Sequence, residues 1–172
     1  MKATLKITSM LVLLLCAAMS VQSQKFGYIS SNAILAEMPE VKQADAQLEA
    51  LQKQLQKKGQ TMVEQFQQDY VSVQQKMERG ELSPKQQEEE GKKLEAKQAE
   101  LQKFEQDMMT QVQTKRSDLM NPILEKVNKA IQEVATEGGY QYIFDEGVLL
   151  YKDASLDVTA LVRTKLGITD DN

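Results

Sequence analysis

Enzymes need side chains that titrate near neutrality, attack carbonyl or phosphoryl centres, or hold metals, and this sequence has few of them. It contains no histidine, and its one cysteine, Cys16, lies in an apolar run near the N-terminus. Beyond that run, thiolate and imidazole metal ligands are absent, and so are disulfides. No glycine-rich phosphate loop and no metal-spaced ligand set appears. The 25 Asp and Glu residues lie mostly in polar helical sequence, where a charge run is ordinarily a solvated face. The reading is therefore no enzyme, no catalytic residue, no metal and no cofactor.

What remains are side chains that grip rather than react. Methionine is flexible and polarizable, and with a few aromatics it adapts to many partner sequences. Met62, Phe66, Tyr70, Met77, Phe104 and Met108 are the candidates for such contacts. The competing reading for Met62, Phe66 and Met108 is that they pack one helix on another. Tyr70 is the best contact candidate, because its row (Leu48, Gly59, Tyr70) flanks the main seam.

These residues sit in a long polar helical hairpin over residues 39–137. Apolar positions recur every 11 residues, about three helical turns, so each row drifts little around the helix. Ala44, Leu55, Phe66 and Met77 form one row, with Leu51, Met62 and Val73 beside it. On the return leg the rows are Leu101, Val112, Ile123, Val134 and Met109, Met120, Ile131. The 18 glutamines from Gln43 to Gln113 leave the rest of the surface solvated. Pro39 disfavours helix at Met38 and suits the first helical position, so the first leg is predicted from Pro39 to about Arg79. The tip lies near residues 80–84. Gly80 suits the position after the helix end, Ser83 the N-cap and Pro84 the first turn, with Gln86 completing a capping box. So short a connection makes the legs antiparallel neighbours, level where residue numbers sum to about 163. Pro122, inside the second leg, is either a hinge or a fixed kink.

Residues 1–23 read as a cleaved signal peptide. Lys2 and Lys6 precede the apolar run Met10–Met19, and cleavage fits after Ser20 or Ser23. The run is too short for a stable membrane anchor, and Leu15 argues against lipidation of Cys16. Two of the 21 basic residues leave with it, so 19 bases face 25 acids, a net of −6. That balance argues against nucleic acid as a partner.

Residues 24–38 and 138–172 form the base of a single domain over 24–172. Lys25–Ser30 reads as a strand, Ser31 or Asn32 as the cap of a short helix, Tyr140–Phe144 as a second strand and Val148–Tyr151 as a third. A last helix follows, with Asp153, Ser155 and Asp157 as possible caps, Val158, Leu161, Val162 and Leu166 on one face, and Gly167 at its end. The fold class is α+β and mostly α. Six of the nine aromatics (Phe26, Tyr28, Tyr140, Tyr142, Phe144, Tyr151) fall in this base. So small a core, without disulfide or metal, predicts a homo-oligomer.

The K-F-G-Y-I-S strand at Lys25–Ser30, the Y-I-F-D run at Tyr142–Asp145 and the D-V-T run at Asp157–Thr159 flank a polar hairpin of about a hundred residues. In this order they resemble the OmpH/Skp family of periplasmic chaperones, over the whole chain after the leader. The resemblance implies a homotrimer whose strands close a common β-barrel body, with three helical arms that enclose unfolded outer-membrane proteins without ATP. It implies a periplasmic location, and assigns Phe26, Tyr28, Tyr142, Phe144 and Tyr151 to the trimer head. Well-known members are strongly basic, whereas this chain is acidic, with Glu88–Glu90 just past the tip. Lipopolysaccharide or membrane contact is accordingly not carried over. The alternative is a structural coiled-coil spacer or tether of the envelope, which predicts a seam filled along its length. An amphipathic membrane-surface protein ranks lowest, because the polar face is Gln- and Glu-rich and Trp is absent.

Overall fold

The structure, a computed structural model, describes residues 24–168. The expected signal peptide at 1–23 and most of the C-terminal tail lie outside the described residues. Strand β1 (Phe26–Ile29) is followed by the short helix α1 (Ser31–Glu37). The long helices are α2 (Pro39–Glu78) and α3 (Pro84–Gly138), and β2 (Tyr142–Asp145) follows them. Two 3₁₀ turns, Glu146–Val148 and Ala154–Leu156, lead to α4 (Thr159–Leu166). No helix among the described residues is long and apolar enough to cross a membrane. The chain divides into two units, one of residues 32–128 and one that combines 24–31 with 129–168.

In the helical unit, each boundary has a local cause. Pro39 opens α2 at its first turn. At its end Gly80 takes φ +69°, a left-handed conformation that a Cβ would strain. The Gly80 N–H donates to the Met77 carbonyl at 3.0 Å and the Glu81 N–H to the Lys76 carbonyl at 2.9 Å. Those paired bonds satisfy two carbonyls the helix end would leave open. Ser83 and Gln86 then cap each other: the Ser83 N–H donates to Gln86 Oε1 at 2.8 Å, and the Gln86 N–H to Ser83 Oγ at 3.4 Å. This is the reciprocal box read from the sequence. The register also agrees: Gly59 lies against the Phe104 ring, and 59 and 104 sum to 163. Helix assignment is continuous through Pro122, whose side chain is exposed.

The buried seam is narrower than the 11-residue rows predict. Ala44, Leu48, Leu55 and Val73 are buried on α2, and Phe104, Ile123 and Val127 on α3. Leu48, expected on the flank, is inside; Met109, expected in a seam row, is 74% exposed. Ala44, Leu48 and Leu55 step by four and then seven, and Ile123 and Val127 by four, steps that keep a seam facing its partner. Ion pairs cross between the legs at Lys97–Asp69 and, at 2.5 Å, Lys126–Glu40. Both are exposed, so each stabilises by less than about 1 kcal/mol.

In the strand unit, β1 and β2 pair in parallel, Phe26 with Tyr142 and Tyr28 with Phe144. Parallel strands need a long crossover, and the helices between them supply it. Tyr28, Ile29, Ala130, Val134, Val158 and Val162 are buried. Gly27 passes under Tyr140 and Val158, where an added Cβ would sit 3.2 Å from the ring. The Gly138–Gly139 pair has two separate causes. A Cβ on Gly138 would meet the Tyr140 ring at 2.3 Å, whereas Gly139 supplies φ +68°.

The expectation of three strands is corrected here. Among the described residues there is one two-stranded sheet, and Val148–Tyr151 is not a strand. Asp145 accepts the Gly147 N–H at 2.9 Å, and that local turn starts a 3₁₀ helix instead. The open side of β1 is instead met by Asp157, which forms an isolated parallel bridge to Tyr28. The Val158 N–H donates to the Tyr28 carbonyl there at 2.9 Å.

Candidate functional site

The six contact candidates divide by what already touches them. Phe104 is 8% exposed and packs on Gly59, with Lys58 Nζ 5.1 Å from its ring centre. It holds the hairpin together. Met62, Phe66 and Met108 are half-buried along the seam. Tyr70 and Met77 remain in water, Tyr70 at 49% exposure and leaning on Phe66 with ring centres 6.4 Å apart. Sequence reasoning missed Val63 and Val71, which are also exposed. The signal for Val63 is a seven-residue step, Val63–Tyr70–Met77, hidden beneath the 11-residue rows.

Packing thins toward the turn. Among the described residues from Pro84 to Lys103 none is buried, and on the facing stretch of α2 only Val73 is. An open cleft of about 220 Å³ lies there, lined by Asp69, Val73, Leu94 and Lys97 among others. A second cleft, of about 430 Å³, lies between Gln52 and Gln56 on α2 and Met108, Met109 and Val112 on α3. The first lining is mostly charged, with Lys97 paired to Asp69 and Lys93 to Glu90, whereas the second is apolar and amide.

The strand unit carries a second exposed apolar surface. Phe26 stacks on Tyr142 with centres 5.9 Å apart, and Tyr142 on Phe144 at 6.0 Å. All three are exposed, as are Val148, Leu150, Tyr151 and Leu156. Tyr28 differs: it is buried within its own chain, with Lys152 Nζ 5.3 Å from its ring centre. Lys152 also pairs with Glu146, which accepts from Ser30 Oγ. Those two bonds, Lys152 first, hold the Glu146 carboxyl below its ordinary range. The Ser31 side chain and then the Gly147 N–H do the same for Asp145.

Both surfaces fall inside one family match. Residues 25–166 match the family described as outer membrane protein (OmpH-like). The chain belongs to the OmpH-like family. A solved structure from Caulobacter crescentus, described as that of a candidate outer membrane chaperone (OmpH-like), has the same fold. The TM-score is 0.72 at 17% identity, over 83% of each chain. No curated protein matches this chain in sequence. The match bears out the family reading and, in general terms, the chaperone role it carries. It spans the polar hairpin and both strand segments of this OmpH-like chain together.

Proposed function

We propose that this protein is an ATP-independent periplasmic holdase, exported by the signal peptide at 1–23. In this reading it binds unfolded outer-membrane proteins between helical hairpins and keeps them from aggregating in transit. The observation that carries the reading is the OmpH-like match through residues 25–166, hairpin and strand segments alike. The open packing near the turn supports it, since a spacer would fill its seam along its length. Binding is by many weak contacts acting together, as a surface open to water requires. No step of it needs chemistry or a cofactor.

The assembly we propose is a homotrimer joined through the strand units in a shared β-barrel body. Phe26, Tyr142, Phe144 and Tyr151 are exposed apolar side chains of the kind that subunit contact covers. Tyr28 is buried within its own chain, with Lys152 over its ring, and is not part of that exposed surface. Pro122 has two roles open to it, a fixed kink or a hinge that lets the hairpin move.

The test is aggregation of a urea-unfolded outer-membrane β-barrel protein diluted into buffer with the purified chain from Gln24 onward. Turbidity suppressed equally with and without ATP is the expected result. A client that precipitates regardless would refute the holdase reading and favour the structural coiled coil.

A further inference from the structure

On α2, exposure of large apolar side chains is confined to the half near the turn. Val63, Tyr70, Val71 and Met77 are exposed, and no large apolar residue from Pro39 to Met62 is. Three of them are seven residues apart. Seven residues make about 700°, or 20° short of two full turns, so Val63, Tyr70 and Met77 form one stripe along the helix.

A second stripe runs beside it. Gln60, Gln67 and Gln74 repeat with the same step, and each lies about 40–60° around from the apolar stripe. All three are exposed. Gln60 donates to Glu64 at 3.1 Å, while Gln67 and Gln74 have no side-chain hydrogen-bond partner among the described residues. On the opposite flank the apolar stripe borders Phe66 and Val73, which belong to the seam.

An apolar stripe with a row of exposed carboxamides beside it, two of them unbonded, specifies the chemistry of its occupant. A partner helix satisfies its own backbone and is usually met by charged flanks. An extended, unfolded chain brings apolar side chains and open backbone N–H and C=O groups. A carboxamide can both donate to and accept from those groups, whatever the sequence.

We propose that the turn-proximal half of α2 is a client-binding surface, with Val63, Tyr70 and Met77 holding apolar side chains and Gln60, Gln67 and Gln74 bonding the backbone of an extended polypeptide. This rests on the holdase reading and adds where and how the client is held.

The experiment measures binding of a urea-unfolded outer-membrane β-barrel protein, labelled and diluted into the full chain from Gln24, by fluorescence anisotropy. One variant carries Val63→Gln, Tyr70→Gln and Met77→Gln. A second carries Gln60→Ala, Gln67→Ala and Gln74→Ala. A reference carries Gln47→Ala and Gln54→Ala on the other half of the helix. Circular dichroism confirms that each retains its helix content, and photo-crosslinkers at 63, 70 and 77, compared with 47 and 54, report contact directly. We expect the apolar variant to bind about tenfold more weakly, the glutamine variant several-fold more weakly, and the reference like wild type. Crosslinks should form at 63, 70 and 77 only. Wild-type binding that both variants retain in full would overturn the proposal and leave the holdase reading standing. Preferential binding of a preformed amphipathic helix, or self-association lost in the apolar variant, would overturn it too, by naming another occupant. A wild-type chain that binds no unfolded client would refute both.

Discussion

Gly59 and Gly91 are both helix-interior glycines, but the structure gives them opposite surroundings, and a pair of alanine substitutions separates them. Glycine in a helix interior costs about 1 kcal/mol relative to alanine. Gly91 has nothing within 4 Å of where a Cβ would stand, so Gly91→Ala should recover most of that amount. At Gly59 the new Cβ would lie 3.2 Å from a Phe104 ring carbon, tighter than an ordinary contact. The ring must shift by a few tenths of an ångström in a seam where Phe104 is among the few buried side chains of α3. Crowding of that kind costs on the order of 1 kcal/mol or more, enough to cancel the propensity gain. Thermal unfolding followed at 222 nm should therefore show Gly91→Ala raising Tm by about 2–4 °C, with Gly59→Ala unchanged or lower. Adding Phe104→Leu should remove the difference, because the smaller side chain makes room. Equal stabilisation at both positions, or a difference that survives Phe104→Leu, would refute the close packing that fixes the hairpin register.

Three further outcomes follow from local geometry. Ser83→Ala removes one half of the reciprocal cap and should lower stability by about 1 kcal/mol in urea unfolding, with Gln86→Ala costing less. Gly138→Ala should destabilise the strand unit severely, since its Cβ would meet the Tyr140 ring at 2.3 Å, and Tyr140→Ser in the same chain should restore much of the loss in the tyrosine near-UV signal. Acid should loosen that unit: Asp145 and Glu146 are held below their ordinary values of 3.8 and 4.5. Their stabilisation is present above those values and is lost as pH falls through the lowered folded pKa values. The near-UV signal should hold at pH 6 and decline below about pH 4, and Lys152→Met should bring the decline to higher pH.

The features legible in the sequence were those fixed by short-range stereochemistry. Gly80, Ser83, Pro84 and Gln86 each have one good place near a helix end, so the turn and the register that follows from it could be read directly. The division between seam and surface was less accessible. An 11-residue row keeps a straight helix face aligned but does not say which side its partner wraps, so Leu48 and Met109 exchanged expected places. Gly59 shows in the sequence only as a helix residue of poor propensity, because its reason, the Phe104 ring, is 45 residues away. Val148–Tyr151 has strand composition, but Asp145 accepts the Gly147 N–H and turns the chain into a 3₁₀ helix at Glu146–Val148. Val148, Leu150 and Tyr151 are left exposed.

The most direct test of the account is the mass of the purified chain from Gln24 in solution, alone and then with a urea-unfolded outer-membrane β-barrel protein diluted into it. Light scattering reads both. Three subunits alone, and a soluble complex of those three with one client and no turbidity, are the expected results. A folded monomer, or an oligomer beside which the client precipitates, would contradict the account.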